Sequence, residues 1–83
     1  MSLEIVREMT EYLALGSLEL EFKINPGPRD STEVIDEVLL HVPIKREALE
    51  EGLQTLERLG AVVAADAGQI IYVSEESTDN STN

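Results

Sequence analysis

The side chains able to do chemistry are few in kind and one-sided in charge. The chain of 83 residues has thirteen glutamates, four aspartates, one histidine (His41) and no cysteine. General acid–base catalysis asks for carboxylates held in a pocket that perturbs their ionisation. The periodicity below instead puts the glutamates on outward helix and strand faces, where they make a solvated surface. No serine stands in a nucleophile-like setting, so no enzyme activity and no cofactor are expected. The absence of cysteine excludes disulfides and thiolate metal sites and leaves the redox compartment unread. His41 has two readings, as a pH switch or metal ligand, and as a helix C-terminal histidine favoured by the helix dipole. The second is preferred, because a metal needs further convergent ligands. No calcium-loop pattern is present. Asn80-Ser81-Thr82 is a formal glycosylation sequon, read as chance because no secretory signal accompanies it.

Charge is the chemistry that remains. The net charge is −11, with only two lysines. Such a balance opposes non-specific binding to nucleic acid and to anionic lipid, and favours a basic partner surface. It also suits solubility or a salt-adapted host. Hydrophobic residues make up 42% of the chain, too many for a disordered protein. No apolar run approaches the roughly 18 residues that span a membrane. The start, MSLEIVREM, lacks a basic region followed by an apolar core. These features predict a cytoplasmic protein that does not enter membranes.

The elements follow from periodicity. Residues 3–15 read as an amphipathic helix with Ile5, Val6, Met9, Tyr12 and Leu13 on its buried face, Ser2 as N-cap and Gly16 as its stop. Residues 18–24 alternate, with Leu18, Leu20, Phe22 and Ile24 against Glu19, Glu21 and Lys23, and predict a strand. Asn25-Pro26-Gly27-Pro28 then breaks regular structure. Asp30 caps a second helix, with Glu33 as capping-box partner and Val34, Ile35, Val38 and Leu39 buried. After Pro43 a third helix runs from about Ile44 to Leu59, with Leu49, Leu53 and Leu56 inside and Gly60 as its stop. Gly52 within it reads as a point of close contact with a neighbouring helix. Ala61–Ala65 and Ile70–Val73 form a hairpin around Asp66-Ala67-Gly68-Gln69. Residues 1–74 thus make one domain. Residues 75–83, polar and acidic, make a disordered tail. Leu20, Phe22, Leu49, Leu53, Leu56 and Tyr72 are expected to share the core.

The order helix, strand, helix, helix, strand, strand resembles the winged helix–turn–helix superfamily over residues 3–73. Ala48 to Val62, ALEEGLQTLERLGAV, looks like its third helix, glycine stop and following strand. The resemblance implies an α+β fold of order α-β-α-α-β-β with a three-stranded antiparallel sheet. In members that bind DNA, the third helix enters the major groove. Carried onto this chain, its outward positions are Lys45, Arg46, Glu47, Glu50, Glu51 and Gln54, with a wing tip at Asp66 to Gln69. Lys45, Arg46 and Gln54 suit phosphate or base edges. Glu47, Glu50 and Glu51 oppose DNA and, with Gln54, suit a protein with a basic surface. The resulting expectation is a small winged-helix adaptor or regulator acting through that acidic face, a DNA mimic being one form of it. The alternative is a sequence-specific DNA-binding transcription regulator, with duplex DNA as partner. The pattern leaves a homodimer open.

Overall fold

The computed structural model describes residues 2–73. The expected tail over 75–83 and the sequon at Asn80 lie outside them. Three helices, α1 (Leu3–Ile24), α2 (Ser31–His41) and α3 (Arg46–Arg58), precede an antiparallel hairpin of β1 (Val62–Ala64) and β2 (Ile70–Tyr72). The fold is α+β with a two-stranded sheet.

The strand expected at residues 18–24 is helix, and this is the main correction. Gly16, expected to stop the first helix, lies inside it, and α1 runs unbroken for 22 residues. Glycine costs about 1 kcal/mol in a helix interior, too little to outweigh the burial gained by continuing. Leu18 and Phe22, four residues apart, fall on one helical face with Ala14, and all three are buried. Leu20 and Ile24 turn to solvent, so Leu20 does not belong to the core. The helix ends where Asn25 precedes Pro26, a position that disfavours helical dihedrals. Ser2 caps its start, its Oγ accepting from the Ile5 amide at 3.2 Å.

The stripe Ile5, Val6, Met9, Tyr12 and Leu13 is the second correction. These residues do share a side of α1, but it is not the side that meets the core, and all five are exposed.

The other elements form where the pattern puts them. Asp30 caps α2 by accepting from Thr32 N–H at 2.8 Å, and Val34, Ile35 and Val38 are buried. Lys45 is the N-cap residue of α3, so that helix begins two residues after the expected Ile44. At its end Gly60 has φ +80°, and its N–H bonds Glu57 while Ala61 N–H bonds Leu56. That pair of bonds is the Schellman arrangement, which a left-handed glycine permits. Strand register pairs Val62 with Tyr72, Val63 with Ile71 and Ala64 with Ile70. In place of the third strand expected from residues 18–24, only the connection from α1 to α2 touches the sheet, at one residue. Arg29 and Ile70 exchange both backbone hydrogen bonds, each at 2.8 Å.

The core lies between α1, α2, α3 and the hairpin. Leu49, Leu53 and Leu56 of α3 meet Ala14, Leu18 and Phe22 of α1, with Val62 and Ile70 closing it below. Phe22 stacks on Tyr72, ring centroids 5.5 Å apart. Gly52 is the close-contact point that the sequence suggests: a Cβ there meets Leu18 Cδ1 at 3.2 Å and Ala14 Cβ at 3.4 Å. Gly52→Leu is therefore expected to force α1 off α3 and cost about 1–3 kcal/mol or more, read by urea denaturation. A variant as stable as the parent would show that the two helices do not pack at this point.

Candidate functional site

The face to test is the outward side of α3. Its inner side is fixed by Leu49, Gly52, Leu53 and Leu56, all buried. A turn of 3.6 residues then puts Glu47, Glu51, Gln54 and Arg58 in one outward row, with Glu50 on its flank. Each of these five is exposed. Among the described residues, no ion pair joins Glu47, Glu50 or Glu51 to a cation. The structure thus brings together the four residues expected to form an acidic binding face, at helical spacing and open to solvent.

The cations of the same helix are arranged differently. Arg46 turns back to Asp36 of α2 in an ion pair and hydrogen bond. Arg58 donates from Nη2 to Thr55 Oγ1 at 3.1 Å. Lys45 is exposed at the N-cap. Lys45 and Arg46 stand at the start of α3, and Gln54 lies about 12 Å further along the axis at 1.5 Å per residue. The three residues of the DNA-reading alternative are therefore split by a glutamate row, and one of them is engaged within the fold. The tip of the hairpin, Asp66–Gly68, is exposed and carries an aspartate and no cation.

Sequence reasoning missed a groove. The first half of α1 overhangs α3 and leaves an open cleft of about 720 Å³ between them. Arg7 and Glu11 of α1 line it opposite Glu51, Gln54 and Arg58 of α3, with Leu15 and Gly52 at its floor. The signal was Gly52: a close helix crossing makes the flanking cleft, but which charges border it depends on the crossing itself. The charges along the cleft balance, Arg7 and Arg58 against Glu11 and Glu51.

His41 lies in the last turn of α2, where the dipole favours a cation. Its Nε2 is 3.4 Å from Glu37 Oε2, one helical turn back; the histidine is exposed and the glutamate half-buried. Among the described residues, no three His, Asp or Glu side chains converge to hold a metal ion, and no helix is long and apolar enough to cross a membrane. No protein-family model, no curated protein and no solved structure matches this chain.

Proposed function

We propose that this chain is a small cytoplasmic, non-enzymatic winged-helix adaptor or regulator that binds a protein with a basic surface through the acidic face of α3. One observation carries the reading. Glu47, Glu50 and Glu51 stand exposed without cation partners among the described residues. A surface of unpaired carboxylates on a rigid helix repels phosphate and steers a cationic partner toward it. The winged helix–turn–helix reading draws support from helix α3 followed directly by a hairpin, and from the Arg29–Ile70 bridge. That bridge joins the α1–α2 connection to the sheet at a single residue.

The test is an NMR titration of labelled protein with two probes, a lysine- and arginine-rich peptide and a mixed-sequence duplex DNA, each at two salt concentrations. The peptide is expected to shift amides from Glu47 to Gln54, with the effect fading as salt rises. DNA at physiological salt is expected to bind at about 0.1 mM or weaker. The double variant Glu50→Gln with Glu51→Gln should weaken peptide binding, chiefly through the association rate, and strengthen the residual binding to DNA. Nanomolar binding to a defined duplex, abolished by Arg46→Ala, would overturn the reading in favour of the DNA-binding regulator.

A further inference from the structure

Helix α1 is apolar on two sides, and the protein's own core covers one of them. Ala14, Leu18 and Phe22 face inward. On another side lie Val6, Met9, Leu13, Gly16 and Leu20, at successive spacings of three, four, three and four. That is the alternation by which one helix presents a continuous seam to a second. Ile5 and Tyr12 widen the seam. The six side chains that carry it are 44 to 76% exposed. A surface helix of a monomer normally shows one apolar stripe, facing the core, and this one shows two.

We infer that this seam is the contact face of a homodimer, in which α1 of one copy packs on α1 of a second. Three features select a second copy as the occupant. The first is size. Six large apolar side chains, each 44% exposed or more, lie together along one helix, a contiguous patch of the kind that marks an interaction site. The second is charge. On a chain of net −11, the charges of α1 from Glu4 to Glu21 all fall outside the seam, as at the core of an interface. Carboxylates reach the seam only at its edge, where Glu47 and Glu51 of α3 flank Val6 and Leu13.

The third is Gly16. Glycine weakens a helix relative to alanine, and Gly52 offsets this by its close contact with Leu18. Gly16 has no such return, since a Cβ built there meets nothing within 4 Å. A second helix backbone approaching this face supplies the missing reason. The seam is self-complementary about a two-fold axis, which closes the assembly at two copies. An antiparallel pairing opposes the helix dipoles favourably. Because α3 packs on the Ala14–Leu18 side of α1, its acidic row borders the contact along one edge, where Val6 and Leu13 share a shallow groove with Glu47 and Glu51.

Sedimentation equilibrium of the full chain over a wide concentration range tests this. The parent is expected to be a dimer that persists or tightens in high salt, unlike the charge-driven binding of α3. Leu13→Glu places two unpaired carboxylates in the seam and should weaken self-association about 100-fold or more. Leu13 is exposed in the monomer, so the circular dichroism of this variant should be unchanged. Gly16→Leu is the second variant: it raises helix propensity, yet should also yield monomer by blocking close approach. A parent that stays monomeric at every attainable concentration overturns the inference. So does a dimer that neither variant disrupts, since it would use another face. Neither result bears on the α3 titration.

Discussion

Phe22→Ala is expected to lower the unfolding free energy by about 3–5 kcal/mol, the range for deleting a buried phenylalanine. Leu20→Ala, two residues away, is expected to cost less than about 1 kcal/mol, as an exposed position does. The contrast arises from the helical path of α1. Phe22 is 2% exposed and Leu20 59% exposed, because two residues on a helix are some 200° apart. Phe22 also stacks on Tyr72, with 8° between the ring planes, and such pairs add about 0.5–1.5 kcal/mol beyond area. In a strand, residues 20 and 22 would share one face and cost alike. Denaturation of both variants on the Leu13→Glu background separates core packing from self-association. Equal losses would restore the strand and remove the helix.

That pair also shows why α1 was the hardest element to read. Alternation over seven residues satisfies a period of two, but Leu18 and Phe22 alone satisfy a helix as well, and Ala14 continues their row. Apolar residues on both sides of α1 hid which period was real. The N-terminal stripe was legible as a stripe, since Val6, Met9 and Leu13 have helical spacing. That it faces away from the core was not legible, because nothing local to the sequence tells an inner apolar face from an outer one. Elements with a single apolar face and a clear signal at one end, Asp30 for α2 and Gly60 for α3, were legible to within about two residues. The row Glu47, Glu51, Gln54 was legible for the same reason, once Leu49, Leu53 and Leu56 set the inner side. The Arg46–Asp36 pair joins residues ten apart on two helices, and the Arg29–Ile70 bridge joins a loop to the last strand. Both depend on how the helices cross, which periodicity does not carry.

Arg29→Ala is expected to cost about 2–4 kcal/mol, and the physical case rests on Glu21. This glutamate sits in α1 on the inward side, its side chain only 8% exposed, with Arg29 Nη1 at 3.2 Å from its Oε2 and Asn25 Nδ2 donating to the same oxygen at 2.9 Å. Removing the guanidinium leaves a carboxylate in a poorly hydrated place with one amide for company. Breaking a buried pair this way commonly costs about 3–5 kcal/mol, and the 17% exposure of Arg29 lowers the figure here. Glu21→Leu should cost less, because the freed arginine can turn toward water while leucine packs on the core. The double change, Glu21→Leu with Arg29→Met, should recover most of the loss, since apolar replacements of buried pairs are often neutral. High salt should leave the Arg29→Ala penalty largely intact, as screening reaches buried pairs poorly. The exposed pair of Arg46 and Asp36 makes the control, with Arg46→Ala expected to cost under about 1 kcal/mol. If Arg29→Ala is as mild as that control, the charge pair is dispensable. The two backbone bonds to Ile70, which any non-proline residue can make, would then alone hold the α1–α2 connection against the hairpin.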